Sequence, residues 1–116
     1  MKLLIVEDNQ QMRRLIASIV CDLAGEISEC SDGSQALAAY VERRPDWVLM
    51  DIKMPEVDGI AAILQIKAAF PEAQIIIVTD YDDAKLREAA CGAGACGYIT
   101  KENLFDVREV LQSRLV

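Results

Sequence analysis

Short apolar runs alternate along the chain with longer stretches in which apolar residues recur at helical spacing. The apolar runs predict five strands, which cover residues 2–6, 26–30, 47–50, 74–78 and 96–100. The fourth run is almost entirely β-branched, which is typical of a strand that is buried on both faces. Strict alternation of strands and amphipathic stretches predicts an α/β domain with a parallel sheet covered by helices.

The amphipathic stretches predict one helix after each strand. The first helix covers about residues 9–23, and the second ends before Pro45. The third follows a loop that contains proline and glycine, and the fourth covers about residues 83–90. Asn103 and Asp106 are three residues apart and predict a capping box for the fifth helix.

Length and composition fit one folded domain over residues 1–116. The chain is 53% hydrophobic and 27% charged, with 6 Gly and 3 Pro, which excludes disorder, collagen-like repeats and a disulfide miniprotein. Its apolar runs are far shorter than the about 20 residues that cross a bilayer, and a strand begins directly after Met1. We therefore expect a cytoplasmic protein with no signal peptide and no membrane contact.

Charge and histidine content exclude several functions. A net charge of −7 repels a polyanion, so nucleic-acid binding by this domain alone is not expected. The chain has no histidine, which excludes Ser-His and Cys-His catalytic pairs and His-based zinc sites. The four cysteines lack a CxxC spacing, and we expect them to be reduced and to act as small core residues.

Polar residues follow the predicted strands at the edge where parallel sheets bind ligands. These residues are Glu7, Asp8, Asp51, Thr79, Asp80 and Lys101. Two unit charges about 4 Å apart repel by roughly 4 kcal/mol at an effective dielectric near 20, so clustered carboxylates require a cation. Because only oxygen ligands are available there, the pattern predicts a Mg²⁺ site.

Each of these residues also has an ordinary structural role available to it. Asp8 is a favoured helix cap, and Asp51 is compatible with a simple turn. The Thr79 hydroxyl suits a bond to the backbone at a strand end, and lysines are usually solvated on the surface. Their coincidence at successive strand ends favours a common site.

Four segments resemble the receiver domain of bacterial two-component response regulators. They are LLIVEDN, VLMDIKMPEVDG, IIIVTD and GAGACGYITKE. The resemblance covers nearly the whole chain and implies a doubly wound (βα)5 flavodoxin/CheY-like fold with strand order 2-1-3-4-5. The last segment is most similar to the NarL/FixJ branch, whose members usually continue into a DNA-binding helix-turn-helix domain. We therefore expect residues 1–116 to be a receiver taken from a longer regulator.

The resemblance also implies roles for the strand-end residues. Asp51 would accept a phosphoryl group from a phosphohistidine of a histidine kinase or histidine phosphotransfer protein. Glu7, Asp8, Asp51 and the backbone carbonyl of Lys53 would hold Mg²⁺. The protein would be a signalling receiver rather than an enzyme acting on a separate substrate.

A conformational switch is implied by the same resemblance. Lys101 would pair with the phosphoryl oxygens, and Thr79 would move to bond one of them. Tyr98 would then turn inward and change the surface formed by the fourth helix, fifth strand and fifth helix, although a half-buried strand tyrosine explains Tyr98 equally simply. Phosphorylation would control an output in transcription and would promote a homodimer.

Three residues depart from the family pattern. Glu102 stands where many receivers have proline, which leaves open the conformation of the Lys101-Glu102 bond. Asp80 replaces a commonly small residue, and we expect its charge to hinder anionic donors or attacking water. Lys53 lies at a variable position and could partly neutralise Asp80.

Two other functions compete with a phosphorylated receiver. An aspartate phosphatase of the haloacid dehalogenase type shares the acidic strand ends, but it has a D-x-D pattern, and here the residue two beyond Asp51 is Lys53. A receiver-like module that binds partners without phosphorylation is the other. In the family, the phosphodonor docks at the start of the first helix. The corresponding residues are Gln11, Arg13, Arg14 and Leu15, although a solvated helix face also explains them.

Overall fold

A five-stranded parallel sheet forms the centre of the molecule. The computed structural model describes residues 1–113. The strands are β1 Lys2–Val6, β2 Glu26–Cys30, β3 Trp47–Met50, β4 Ile75–Thr79 and β5 Gly97–Thr100. Their order is β2-β1-β3-β4-β5, and every pairing is parallel. The predicted doubly wound fold with strand order 2-1-3-4-5 is therefore confirmed.

Five helices connect and cover the strands. They are α1 Gln10–Val20, α2 Ala36–Arg43, α3 Gly59–Ala69, α4 Ala84–Ala93 and α5 Asp106–Ser113. Helix α1 is shorter at its C-terminal end than predicted, since a turn follows Val20. The predicted capping box is wrong, because the Asn103 side chain donates to Thr100 Oγ1 (3.1 Å) from within a short 3₁₀ turn. Helix α5 begins three residues later.

The two faces of the sheet bury separate hydrophobic cores because strand side chains alternate between faces. Leu4, Val6 and Met50 pack on the face covered by α2, α3 and α4. Leu3, Ile5 and Leu49 pack on the face covered by α1 and α5. The central strands β1, β3 and β4 are thus apolar at consecutive positions, as expected for a sheet covered on both sides.

The cysteine prediction is only partly confirmed. All four thiols are free, but only Cys30 is buried in the core. Cys21 lies just beyond α1, Cys91 lies on α4, and Cys96 lies just before β5; these three are exposed. A count of small apolar neighbours in the sequence does not reveal which side of a helix or strand faces the core.

Two further expectations concern the backbone and the membrane. Within residues 1–113 no peptide bond is cis, so the Lys101-Glu102 bond is trans. Across the same residues, no helix combines the length and the apolar composition that crossing a bilayer requires.

Helix α3 starts against the backbone that follows β3. The amide N–H of Gly59 donates to the carbonyl oxygen of Ile52 (2.8 Å), and the Asp58 side chain caps the helix by accepting from Ala61 N (2.8 Å). A methyl group on Gly59 would overlap the carbonyl oxygen of Asp51. Gly59 therefore allows the helix to approach the strand end that carries Asp51.

We expect Gly59→Ala to lower the free energy of unfolding by about 2 to 3 kcal/mol, because the added methyl group must displace backbone. Gly92→Ala is the matched control: Gly92 is an exposed residue of α4, and a methyl group there meets no atom within 4 Å. This control should raise stability by about 0.5 to 1 kcal/mol. Urea denaturation measures both, and equal effects would contradict the close approach at Gly59.

Candidate functional site

The carboxyl ends of β1 and β3 bring three carboxylates together. Val6 pairs with Met50 in the parallel register, so Glu7, Asp8 and Asp51 leave the sheet at the same level. One carboxylate oxygen from each of these three residues lies within 4.8 Å of the others. They line a cleft of about 590 Å³ together with Lys53, Asp80 and Lys101. The predicted convergence of polar residues at this edge is confirmed for five of the six residues, which are Glu7, Asp8, Asp51, Asp80 and Lys101.

Asp51 is held in one orientation at the base of the cleft. Its backbone N–H donates to the carbonyl oxygen of Val6 (3.0 Å), and its Oδ1 accepts from the amide of Ile52 (2.8 Å). Its Oδ2 lies 3.2 Å from Lys101 Nζ. The side chain is almost completely buried, although the residue lines the cleft. A turn alone does not explain a buried carboxylate that also binds Lys101, a residue 50 positions later in the chain.

Lys101 is a largely buried lysine rather than a solvated one. Its Nζ lies 2.6 Å from Glu7 Oε1, 3.2 Å from Asp51 Oδ2 and 3.8 Å from Asp80 Oδ2. Burial alone would lower the pKa of this amine, but the contact with Glu7 and the charge of Asp51 raise it above its ordinary value. Lys101 therefore remains an ammonium ion that neutralises part of the acidic cluster.

Glu7 carries the most perturbed carboxyl group of the cleft. Burial raises its pKa to about 7; the contact with Lys101 opposes this rise, whereas Asp8 and Asp51 add to it. Its Oε2 also accepts from the amide of Asn9 (3.1 Å). A second cation close to Glu7 would favour its charged form.

The acidic cluster fits Mg²⁺. With metal–oxygen bonds of about 2.1 Å, ligands on opposite sides of the ion are about 4.2 Å apart. Three carboxylate oxygens within 4.8 Å of one another therefore match the size of one coordination shell. All three are hard oxygen donors, which Mg²⁺ prefers. Lys53 also lines this cleft, as required for a ligand from its backbone carbonyl.

Thr79 and Asp80 differ in their position at the end of β4. Thr79 is fully buried and does not line the cleft, and its Oγ1 is 3.5 Å from the amide of Tyr81. Asp80 is exposed, lines the cleft and pairs with Lys101. The prediction that the Thr79 hydroxyl meets the carboxylates in this crevice is thus not confirmed by the structure.

Lys53 is directed at the Tyr81 ring and forms no ion pair with Asp80 among the described residues. Its Nζ lies 5.7 Å from the centre of the Tyr81 ring, at the distance of a cation–π contact. In residues 1–113, the ion pair formed by Asp80 is with Lys101. Tyr81 also lines the cleft, although it was not among the residues predicted for the site. Its position in the sequence, directly after Thr79 and Asp80 at the end of a predicted strand, could have identified Tyr81 as a cleft residue.

Tyr98 is half-buried and lies outside the cleft. Its hydroxyl donates to the carbonyl oxygen of Tyr81 (2.5 Å), and the Arg87 guanidinium lies 4.4 Å from the centre of its ring. Burial raises the pKa of Tyr98 despite the charge of Arg87. The ring is therefore attached to the segment that follows Thr79 and is not an isolated strand side chain.

Some residues at the start of α1 line the cleft, and Arg13 instead contacts the backbone after β1. Gln11 and Leu15 line the cleft together with Met12, which was not among the predicted residues. Arg13 instead donates to the carbonyl oxygen of Glu7 (2.7 Å) and pairs with Glu29 (3.1 Å), so it braces the backbone. The alternative role of Asp8 as helix cap is excluded, because Asn9 accepts from Met12 N (2.8 Å).

The geometry of this cleft is matched by a known family. The sequence model of the response regulator receiver domain matches residues 3–113, and the chain belongs to this family. Receiver domains bind Mg²⁺ at an acidic cluster, which in this chain corresponds to Glu7, Asp8 and Asp51.

Individual relatives come from more than one group of regulators. The chain is 38% identical to the chemotaxis protein CheY of Listeria monocytogenes, over 97% of this chain and 94% of that protein. It is 35% identical to the transcriptional regulatory protein YhcZ of Bacillus subtilis, over 100% of this chain and 54% of YhcZ. A LuxR-family response regulator from Aurantimonas has a similar structure, with a TM-score of 0.90, 27% identity and coverage of 98% of this chain and 84% of that one. The NarL/FixJ branch is therefore not specifically confirmed.

The buried position of Glu7 makes stability depend on pH. With a pKa of about 7 in the folded chain and 4.5 as its ordinary value, Glu7 binds a proton more strongly when folded. The stabilisation is complete below pH 4.5 and is lost as the pH rises to about 7, by an amount on the order of 2 to 3 kcal/mol. We expect Glu7→Gln to remove this slope in metal-free buffer.

Guanidinium denaturation from pH 4.5 to 8 measures the slope, and the chain suits the experiment because it contains no histidine that would titrate in this range. Glu109→Gln, which changes an exposed glutamate of α5, is the matched control and should leave the slope unchanged. Equal slopes in the unmodified chain and in Glu7→Gln would refute the assignment to Glu7.

Proposed function

We propose that this chain is the phosphoacceptor receiver of a two-component response regulator and that Asp51 accepts the phosphoryl group. The observation that carries the proposal is the contact of Asp51 with Lys101 (3.2 Å) inside a cleft that also holds Glu7 and Asp8. A buried carboxylate with a fixed cation beside it and a metal-binding cluster around it is suited to accept a phosphoryl group.

In the proposed reaction, a carboxylate oxygen of Asp51 attacks the phosphorus of a phosphohistidine on a kinase or phosphotransfer protein. The phosphorus–nitrogen bond breaks and the imidazole leaves with its electron pair, so the donor supplies the histidine that this chain lacks. Glu7, Asp8, Asp51 and the backbone carbonyl of Lys53 would hold Mg²⁺, which would supply charge neutralisation for the phosphoryl oxygens. The Lys101 ammonium supplies a second positive charge.

The contacts beyond β4 suggest how phosphorylation reaches the surface. The Tyr81 amide faces the Thr79 hydroxyl, and the Tyr81 carbonyl accepts from the Tyr98 hydroxyl. When Thr79 moves toward a phosphoryl group, the backbone at Tyr81 moves with it and the bond to Tyr98 changes. Tyr98 would then turn inward and release its stacking with Arg87, which alters the face formed by α4, β5 and α5.

The wider function belongs to the same proposal. The partner is a histidine kinase or phosphotransfer protein that docks beside Gln11 and Leu15, and the chain is a cytoplasmic signalling receiver rather than an enzyme acting on other substrates. The GYITKE ending and the likeness to YhcZ and to a LuxR-family regulator support the NarL/FixJ branch with a transcriptional output. DNA would bind through a further domain, and phosphorylation would favour a homodimer.

Acetyl phosphate with Mg²⁺ tests this function directly. Intact mass spectrometry should show the gain of one phosphoryl group, and the gain should disappear with a chelator or in Asp51→Asn. A phosphorylation-independent binding module would give no adduct and no Mg²⁺ binding. Steady release of phosphate from added phosphate esters would instead indicate an aspartate phosphatase. Either result would overturn the proposal.

Asp80 competes with an incoming phosphoryl group for the ammonium group of Lys101. Its carboxylate lies 3.8 Å from Lys101 Nζ at the exposed mouth of the cleft, where an incoming phosphodonor must pass. An anionic donor is repelled by this charge, and the lysine that should bind the phosphoryl oxygens is partly engaged. We therefore assign to Asp80 a slowing effect on both phosphorylation and hydrolysis.

We expect Asp80→Ala to speed phosphorylation by acetyl phosphate by roughly threefold to tenfold, which corresponds to about 0.7 to 1.4 kcal/mol in the barrier. Asp82→Ala removes the same charge two residues away, from an aspartate that pairs with Arg87 outside the cleft, and should change the rate less than twofold. Stopped-flow quenching of the reaction at low and high salt measures both rates. Identical rates in the two variants would eliminate a specific role for Asp80.

A further inference from the structure

Two exposed cysteines share one cavity on the α4–β5 face. Cys91 lies near the end of α4, and Cys96 precedes β5. Both thiols are free and exposed, and both line a cavity of about 200 Å³ beside Arg87 and Tyr98. The cleft that contains Asp51 shares no lining residue with this cavity. The thiols are therefore separate from the phosphoacceptor chemistry.

The repeat distances of the helix and the strand relate the positions of the two thiols to the contact between Arg87 and Tyr98. Arg87 of α4 stacks on Tyr98 of β5, which fixes one pair of facing positions. Cys91 is four residues beyond Arg87 on the same side of the helix, a rise of about 6 Å. Cys96 is two residues before Tyr98 on the same face of the sheet, about 6.6 Å away. With ideal geometry, Cys91 and Cys96 are thus displaced by similar distances from the Arg87–Tyr98 pair, and both line the same cavity.

The backbone between the cysteines is fixed at both ends. Gly94 ends α4 with φ of 112°, and its N–H donates to the carbonyl oxygen of Cys91 (3.0 Å). Ala95 N donates to Ala90 O (3.0 Å), and Cys96 N donates to Ile75 O (2.7 Å). These bonds hold the helix end and the strand start in place, so a bond between the two thiols would require rotation of their side chains rather than movement of the backbone.

From this arrangement we propose that Cys91 and Cys96 form a paired-thiol modification site that takes hydroperoxides. One thiol loses its proton, and the thiolate attacks a peroxide oxygen and becomes a sulfenic acid as the oxygen–oxygen bond breaks; the released hydroxide or alkoxide takes up that proton and leaves as water or alcohol. The other thiol then attacks that sulfur, a second molecule of water leaves, and a disulfide forms. Two thiols are oxidised and one peroxide is reduced.

A disulfide here suits regulation better than stabilisation. The closed ring contains only residues 91–96, so it restricts the unfolded chain little. It would instead tie the end of α4 to β5 beside the Arg87–Tyr98 stack, on the face that the proposed switch alters. Oxidation would thereby change what this face can bind, and thiol reductants would reverse the change.

The test treats the full chain with hydrogen peroxide in the absence of Mg²⁺ and phosphodonor. We expect the loss of two hydrogens in the intact mass, restored by dithiothreitol. Trypsin cuts after Arg87 and Lys101, so one peptide, 88–101, carries both cysteines and should contain an internal disulfide. Asp51→Asn should oxidise identically, which separates this result from the phosphorylation proposal.

Single variants distinguish pairing from separate oxidation. Cys91→Ser and Cys96→Ser should each abolish the internal disulfide and leave the remaining cysteine at least fivefold more sensitive to oxidation to sulfinic acid. Cys21→Ser, which removes the exposed thiol after α1, should not change the 88–101 disulfide. Circular dichroism confirms that each variant is folded. Oxidation of Cys96 at the same rate and to the same product with and without Cys91 would overturn the proposal.

Discussion

The ammonium group of Lys101 is the interaction on which the polar edge of this sheet depends. It lies 2.6 Å from a Glu7 oxygen and 3.2 Å from an Asp51 oxygen, in a position that is largely shielded from water. At an effective dielectric near 20, each carboxylate about 4 Å from another costs roughly 4 kcal/mol, and an equally close ammonium offsets a comparable amount. Without this lysine, the pKa of Glu7 would lose the contact that opposes its rise by burial.

The same charges make the cleft responsive to a cation. Glu7 has a pKa of about 7, so one lysine does not fully compensate three carboxylates at neutral pH. The remaining negative charge favours a hard divalent ion, and the combined positive charge then favours an anionic group such as a phosphoryl. The site thus binds its ligands because its own charges are incompletely balanced, a common arrangement where pKa values are strongly shifted.

Rigid and movable parts of the site come from different elements. Asp51 is fixed by β3, by the amide of Ile52 and by the close packing of α3 at Gly59. Beyond β4, by contrast, Thr79, Tyr81 and Tyr98 are connected through single hydrogen bonds, one of them long. Asp51 is held in place, whereas the residues from Thr79 to Tyr98 are connected by few hydrogen bonds. This arrangement suits the conversion of a charge change at Asp51 into a structural change at the α4–β5 face.

Apolar patterning was sufficient to predict the strands to within one residue, because buried parallel strands need apolar residues on both faces. Apolar patterning was less successful where a side-chain hydrogen bond decides how a helix begins. Asn9 rather than Asp8 caps α1, and Asn103 donates to Thr100 instead of capping α5. Both choices depend on side-chain orientations that spacing along the chain does not determine.

By itself, the sequence determined the fold class and the edge of the sheet that carries the chemistry. It also identified five residues that meet at this edge, which are Glu7, Asp8, Asp51, Asp80 and Lys101. These follow from local patterns, because the residues that come directly after parallel strands all lie at the same edge of the sheet. Only the tertiary structure decided that Lys101 is buried among the carboxylates, that Tyr81 joins Thr79 to Tyr98, and that Cys91 and Cys96 line one cavity. Those contacts depend on how α4 packs against β5 and how deeply each strand end is covered, which are properties of packing between distant segments.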